Sequence, residues 1–185
     1  MDAPKKRKKP FISVRELVVF AMLGSVMYCS KIIMEWAPNI HLLGMFTMTF
    51  TLCYRVKALV PIYVYVMLNG LFSGFAMWWI PYLYIWTVLW GVTMLLPKNL
   101  PNKFAWIYPV ICGLHGLAFG TLYAPAQAVM FHLNFKQTVA WIAAGLPFDA
   151  VHALGNFAAG FLIFPLVKLI RRIDPKGRLR DLDIM

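Results

Sequence analysis

The uncharged run between Lys57 and Lys98 constrains this chain more than any other feature. It holds 40 residues without an Asp, Glu, Lys or Arg, and a second run of 32 lies between Lys103 and Lys136. A helix needs about 20 apolar residues to cross the hydrocarbon core of a bilayer. The composition agrees, with 61% hydrophobic residues against about 45–50% in soluble domains. We therefore predict a polytopic membrane protein, and an all-α one because helices satisfy their own backbone groups in lipid.

Six transmembrane helices fit the sequence. The segments that separate them are MEWAPNIH, RVK, WWIPY, PKNLPNK and the stretch from APAQ to NFKQ. Pro147 and Pro165 are candidate kinks in the last helix. We expect a basic N-terminal segment (1–13), a transmembrane domain (14–170) and a basic C-terminal tail (171–185). The predicted helices are Val14 to Ile33, Leu42 to Tyr54, Ala58 to Ala76, Leu83 to Leu96, Trp106 to Tyr123 and Val139 to Ile170.

The basic residues predict the orientation. If the N-terminus is cytoplasmic, 16 of the 18 Lys and Arg residues fall on the cytoplasmic side, and only Lys31 and Lys136 fall outside. This is the distribution that the positive-inside rule describes. We therefore expect both termini in the cytoplasm, and we interpret the basic charge as an orientation signal rather than a nucleic-acid-binding surface.

Missing motifs narrow the function classes. The chain has no GxxxxGK[ST] phosphate loop, no HExxH zinc motif and no CxxC pair, so ATP hydrolysis or zinc chemistry by those routes is not expected. Its three cysteines are isolated within apolar runs, which is typical of small buried side chains. We expect no permanently bound cofactor or metal.

A polar stripe in the last helix is the strongest candidate for a functional site. In PFDAVHALGN, Asp149, His152 and Asn156 stand at i, i+3 and i+7, so they share one helix face. An Asp at membrane depth costs about 2.5–3.5 kcal/mol on insertion scales and should face protein or a water-filled cavity. His152 can pair with Asp149. The stripe is either an interhelical polar network or one wall of a ligand pocket.

A second group of aromatic and polar residues is predicted at the outer ends of helices 1 to 4. Aromatic walls with a few polar anchors are typical of small-molecule sites, although interfacial aromatics also form membrane belts. The same residues could instead serve helix packing. The candidates are Glu35, Trp36, Asn39, His41, Asn69, Trp79, Tyr82 and Trp86.

Small residues on helix 1 form a third feature. Ala21 and Ser25 are four apart, with Gly24 beside them, and a small-xxx-small face lets another helix approach closely. This face could pack inside the bundle or dock on a partner protein.

Taken together, these features resemble the substrate-binding S-component of an energy-coupling factor (ECF) vitamin transporter. The resemblance covers nearly the whole chain: its size, six predicted helices, basic cytoplasmic ends, and GLPFDAVHALGN in helix 6. The Ala21–Ser25 pair stands where that family has an AxxxA docking motif, with Ser in place of the second Ala.

The resemblance implies a role and partners. The chain would capture a vitamin outside a bacterial plasma membrane through an outward-facing pocket, partly covered by the loop KIIMEWAPNIH. A membrane coupling subunit would dock on Ala21, Gly24 and Ser25, and two cytosolic ATPases would hydrolyse the ATP. The pattern is closest to the cobalamin branch. Pantothenate, a queuosine precursor and riboflavin are alternative ligands.

Two rival functions remain open. An intramembrane enzyme would use Asp149 and His152 as an acid–base pair, but the sequence offers no second carboxylate within a helix turn of them. A structural or assembly factor would bind no ligand, and ligand-induced stabilisation would distinguish it from a binding protein.

Overall fold

The computed structural model describes residues 11–97 and 100–174. Throughout this part of the chain the regular structure is helical and contains no strand, which confirms the predicted all-α class. The α-helices are α1 (Val14–Ile33), α2 (Leu43–Tyr54), α3 (Leu59–Ser73), α4 (Tyr82–Met94), α5 (Ile107–Leu117), α6 (Phe119–Met130), α7 (Phe135–Gly160) and α8 (Ile163–Ile173).

Four helical stretches among these residues are long and apolar enough to cross a membrane. Two of them join successive helices: α2 leads into α3 through the 3₁₀ turn Arg55–Ala58, and α5 leads directly into α6. Helix α4, with 13 residues, and α8, with 11, are shorter than a bilayer span. A membrane protein is therefore supported. The four stretches are Val14–Ile33, Leu43–Ser73, Asn102–Met130 and Phe135–Gly160.

The chain passes back and forth between two ends of a helical bundle. Helices α1 and α3 run in the same direction, since Glu16 contacts Lys57 near their starts and Tyr28 stacks on Phe72 near their ends. Helix α2 runs the opposite way between them in sequence. Eleven of its twelve residues are buried, so α2 is the central helix of the described fold.

One end of the bundle is fastened by cations, and we call it the basic end. Lys57 and Glu16 form a buried ion pair with an Nζ–Oε1 distance of 2.5 Å. Arg55 donates to the carbonyl oxygen of Met94 at 2.6 Å, and Arg171 of α8 donates to that of Leu52 at 3.4 Å. These contacts tie α1, α2, α4 and α8 together.

The opposite end is rich in rings, and we call it the aromatic end. It comprises the α1–α2 loop (residues 34–42), the 3₁₀ turn Met77–Trp79, α6 and the first half of α7. Gly74, with φ of 90°, ends α3 two residues before the predicted boundary at Ala76. Glycine takes this conformation without the steric cost that a Cβ brings.

Several predicted helix boundaries were wrong; the predicted helix from Trp106 to Tyr123, for example, is interrupted at Ala118, between α5 and α6. The segment APAQ, predicted as a loop, lies inside α6, which continues through Pro125 to Met130. The last predicted helix is divided into α7 and α8 at Phe161 and Leu162, not at either proline. Pro165 is the third residue of α8, where a missing backbone N–H costs no helical hydrogen bond. Packing of α6 on α7 outweighs the local signal of Pro125.

Candidate functional site

The polar stripe of α7 is buried, as its spacing predicts. Asp149 and His152 each keep 5% of their surface exposed, and Asn156 keeps 1%. They do not form the expected chain of contacts along the helix. Each of the three side chains faces a different element of the bundle, so the stripe packs α7 against several elements at once.

Asp149 lies against the start of α6. Its carboxylate oxygens accept the backbone N–H of Gly120 at 3.0 and 3.2 Å. The break between α5 and α6 leaves that N–H without a helical acceptor, because the first turn of a helix has none of its own. A Cβ on Gly120 would overlap the Asp149 carboxylate. The contact therefore requires glycine, and it places the carboxylate where the positive end of the α6 dipole stabilises negative charge.

His152 pairs with His41 instead of Asp149. The two Nε2 atoms are 2.6 Å apart, and the ring centroids are 4.4 Å apart in an edge-to-face arrangement. In a neutral pair one imidazole donates and the other accepts. This hydrogen bond fastens the α1–α2 loop to α7 across 111 residues of sequence.

Other rings enclose this pair and complete a histidine–tryptophan cluster. Trp86 contacts His41 and His115 at centroid distances of 5.8 Å each, and Phe119 contacts His152 at 4.6 Å. His115 is held by an Nε2 contact of 3.2 Å to the carbonyl oxygen of Ile85. The cluster therefore joins the α1–α2 loop, α4, α5, α6 and α7.

Several buried polar atoms in and around the cluster have no hydrogen-bond partner within the described part of the chain. Both amide atoms of Asn69 and both of Asn156 belong to this set. Unsatisfied buried groups of this kind cost about 1–3 kcal/mol each, so such a concentration is unusual for a region that only maintains the fold. The others are His41 Nδ1, Tyr65 Oη, Trp86 Nε1 and His115 Nδ1.

The pKa of His41 is lowered to about 3. Burial of the ring is the main cause, because it removes the water that stabilises the imidazolium, and the neighbouring His152 adds like-charge repulsion. His41 is therefore neutral at physiological pH, which is compatible with its hydrogen bond to His152.

An aromatic pocket of about 440 Å³ adjoins the cluster. It opens between the Met77–Trp79 turn, α6 and α7. Asp149 and Gln127 provide its polar groups, and Gly145 provides a part of the wall with no side chain. Phe119 lines the pocket and also packs on His152, so one ring separates pocket and cluster. The aromatic lining consists of Trp78, Phe119, Tyr123, Phe131, Trp141 and Phe148.

The pocket wall is held in place by specific contacts. Tyr123 donates its hydroxyl to the carbonyl oxygen of Trp78 at 2.7 Å, and its ring stacks on Trp141 at a centroid distance of 6.0 Å. Tyr84 donates to the carbonyl oxygen of Leu122 at 2.7 Å. These bonds join the start of α4, α6 and α7, so the pocket is largely pre-formed.

The other predicted site residues lie around these two features. Tyr82 contacts Trp86 and Phe119, and Asn69 is buried one helical turn after Tyr65, which itself contacts Trp86. Trp79 donates its indole N–H to the carbonyl oxygen of Val66 at 2.8 Å. The structure thus brings His41, Tyr82, Trp86 and His152 together at the cluster. It buries Asn69 and Asn156 one helical turn after Tyr65 and His152, respectively.

Three predicted site residues of the α1–α2 loop stand at the surface instead. Glu35 pairs with Lys31 at 3.0 Å, Trp36 is 82% exposed, and Asn39 is exposed with φ of 62°. In the structure described here, none of the three lines the aromatic pocket.

Sequence reasoning missed most of the pocket lining. Phe119 and Tyr123 belong to α6 and Phe131 follows its last residue, in a region part of which was predicted as a loop, and Trp141 was not considered although it precedes Asp149 by about two turns. A signal was available in the aromatic spacing of FGTLYAPAQAVMF, where Phe119 and Tyr123 stand at i and i+4. That spacing indicates one helix face.

The predicted docking residues divide between two surfaces. Gly24 faces α3, where a Cβ would overlap the side chain of Val64 and the carbonyl oxygen of Pro61, so it serves internal packing. Ser25 is exposed and donates its hydroxyl to the carbonyl oxygen of Ala21 at 3.0 Å. The small outward face of α1 therefore consists of Ala21 and Ser25.

Within residues 11–97 and 100–174, no three His, Cys, Asp or Glu side chains converge as a metal site would require. In comparisons with known proteins, no family model, no curated protein and no solved structure matches the chain. The site must therefore be interpreted from its own chemistry.

Proposed function

We propose that this protein is the substrate-binding subunit of an ECF-type importer, which captures a vitamin outside a bacterial plasma membrane. The observation that carries the proposal is the aromatic pocket with Asp149 in its wall. Its volume lies within the range of about 300–1,000 Å³ that is typical of small-molecule sites, and so does its composition of many rings and few polar groups.

The proposed orientation follows from the two ends of the bundle. The basic end, with Arg55, Lys57 and Arg171, lies opposite the pocket, and the positive-inside rule assigns such an end to the cytoplasm. The aromatic pocket would then face outward. In this proposal the chain makes six membrane passages and both termini are cytoplasmic.

The division of labour with partner subunits is part of the proposal. The chain carries no phosphate loop, so a coupling subunit and two ATPases would supply the energy, as the family resemblance implies. The exposed small pair Ala21 and Ser25 on α1 offers a face that another helix can approach closely. The coupling subunit would dock there.

Cobalamin is the first candidate ligand from the sequence resemblance. Pantothenate, riboflavin and a queuosine precursor are the alternatives. A pocket of about 440 Å³ suits the smaller of these molecules, and a corrinoid would extend from it over the aromatic end. Hydrogen bonds to unpaired groups such as Trp86 Nε1 or Asn69 would require Phe119 to move aside.

The intramembrane-enzyme alternative loses support from the geometry. An acid–base pair needs Asp149 and His152 within hydrogen-bond reach of one another or of a shared substrate. Asp149 instead bonds to Gly120, and His152 bonds to His41. Each side chain thus has a separate partner.

The test is uptake of labelled vitamin by bacterial cells that express this chain with a coupling subunit and two ATPases. Ser25→Leu should abolish uptake, because a large side chain on the small face of α1 blocks helix docking, and it should leave ligand binding by the purified protein unchanged. Val18→Leu, at another exposed α1 position, is the matched control. Normal uptake by Ser25→Leu would remove α1 from the docking surface, and no uptake of any candidate would contradict the transport role.

A further inference from the structure

We propose that the ligand of the aromatic pocket carries a positive charge: it is an organic cation, held by the Asp149 carboxylate and by the faces of the surrounding rings. This inference rests on the proposed function, because it names the chemical class of the substrate for the same site. It follows from three observations on the charge, the lining and the surroundings of the pocket.

The first observation is a buried carboxylate with few partners. Asp149 is 5% exposed, and its hydrogen-bond donor in the described part of the chain is the Gly120 N–H. An ionised carboxylate has about four acceptor positions, so most of its capacity remains. The ion pairs Glu16–Lys57 and Lys31–Glu35 do not involve it. A buried charge is normally paired, and here the cavity lies beside it.

The second observation is the lining. Six aromatic residues surround the pocket, among them two tryptophans, Trp78 and Trp141. The face of an aromatic ring attracts a cation, and tryptophan does so most strongly. Rings around one carboxylate form a site in which both kinds of group favour positive charge, whereas an anionic ligand would face repulsion from both.

The third observation is the distribution of protein cations. Arg55, Lys57 and Arg171 lie at the basic end in contacts of their own, and Lys31 is paired with Glu35 on the α1–α2 loop. Lys136 is exposed in the first turn of α7, and none of these five side chains lines the pocket. The strongly basic character of the chain as a whole therefore does not extend to this cavity.

The test uses two probes of similar shape that differ in charge. N-benzylpyridinium is permanently cationic, and 4-benzylpyridine is uncharged in mildly alkaline buffer. Both are titrated into the purified, detergent-solubilised full-length chain, and tryptophan fluorescence and thermal stabilisation report binding. The wild type should bind the cation at least about tenfold more tightly, which corresponds to about 1.4 kcal/mol.

Asp149→Asn keeps the shape of the side chain and removes its charge. We expect this variant to lose at least about tenfold in affinity for the cation and to bind both probes equally. Glu35→Gln removes a surface carboxylate at the same end of the molecule and should keep the full preference. Because all variants are measured in the same detergent, partition of the neutral probe into micelles affects them equally.

A second variant covers the case in which Asp149→Asn does not fold. A Cβ at Gly145 would meet no atom within 4 Å, so Gly145→Phe can fill the pocket without disturbing α7. It should abolish binding of the cation while Asp149 keeps its charge. Equal affinity of the wild type for both probes, or undiminished binding of the cation to Gly145→Phe, overturns the inference.

The same measurements separate this inference from the proposed function. A protein that ignores the cationic probe yet binds a neutral vitamin would refute the charge requirement and leave the transport role standing. A protein that binds the cation through Asp149 but supports no uptake with the ECF module would refute the transport role and leave the charge requirement standing.

Discussion

At the basic end of the bundle, Glu16 meets Lys57 in a buried ion pair and Arg55 meets the carbonyl oxygen of Met94. At the aromatic end, Asn69, Trp86 and Asn156 keep buried polar atoms without partners in the described chain. Both regions bury polar groups, which is costly unless those groups are paired. At the basic end the paired groups hold helices together, whereas at the aromatic end several buried donors and acceptors have no partner among the described residues.

On the proposed function, this difference distinguishes a region that maintains the fold from a region that would bind a ligand. A group that completes a pair stabilises the fold. When it is removed, its partner stays buried without a hydrogen bond, and the full cost of desolvating that partner is lost from the stability of the protein. A buried group without a partner lowers the stability of the free protein, and functional sites commonly carry such a cost in stability. The two ends should therefore respond to mutation in opposite ways.

The largest effect is expected at the ion pair of the basic end. Lys57→Met leaves Glu16 buried without its cation, and breaking one partner of a buried pair costs about 3 kcal/mol or more. Unfolding of the purified protein in mixed micelles measures the loss. Lys31→Met removes a cation from a surface pair with Glu35 and should cost no more than about 0.5 kcal/mol. Equal losses in the two variants would contradict the contrast between buried and surface pairs.

A smaller effect is expected from acid at the His41–His152 pair. The unfolded chain protonates His41 near its ordinary pKa of 6.5, and the folded protein does so near 3. Between those values the unfolded state holds more protons, so stability is complete above 6.5 and is lost as the pH falls towards 3. Acidification to about pH 5 should cost about 1–2 kcal/mol.

Substitutions of two histidines test this prediction, one as the variant and one as its control. His41→Gln should lessen the loss of stability in acid, because the buried group that resists protonation is gone. His132→Asn changes an exposed histidine at φ of 52° to a residue that tolerates this conformation, and it should keep the wild-type dependence. Thermal unfolding across the pH range measures this dependence. If stability falls with pH as steeply in His41→Gln as in the wild type, the acid sensitivity does not come from His41.

The smallest effect on stability is expected at Asn156. Asn156→Leu replaces two unpaired amide atoms by a side chain of similar shape and should leave the free energy of unfolding within about 0.5 kcal/mol, or raise it. Asn134→Leu removes the same amide from the α7 capping box and should cost about 1 kcal/mol. If Asn156→Leu is the more damaging of the two, Asn156 has a structural role and the contrast between the ends fails.

The sequence predicted which polar residues share a buried helix face better than it predicted their hydrogen-bond partners. The i, i+3, i+7 spacing of Asp149, His152 and Asn156 correctly indicated one buried face, because helical periodicity is local. The hydrogen-bond partners could not be read in the same way. Gly120 lies 29 residues from Asp149, and His41 lies 111 residues from His152, so only the packing of helices brings them together.

One local signal hid part of the aromatic pocket. Pro125 within APAQ suggested a loop, although the tertiary context of α6 and α7 maintains the helix through it. Of the pocket lining, Gln127 lies in that continuation and Phe131 directly after it, whereas Phe119 and Tyr123 precede Pro125. The polar anchors could be predicted from the sequence, whereas the aromatic walls come from the Met77–Trp79 turn, α6 and α7, which only the packing of helices brings together.

The most direct measurement is calorimetric titration of the purified, detergent-solubilised protein with cobalamin, riboflavin, pantothenate and the permanently cationic vitamin thiamine. The account predicts nanomolar binding of one of these ligands, and a weaker affinity in Asp149→Asn and His152→Ala with membrane insertion intact. Absence of heat with all four ligands, or an affinity that neither variant changes, would contradict the claim that the aromatic end is a binding site for a small molecule.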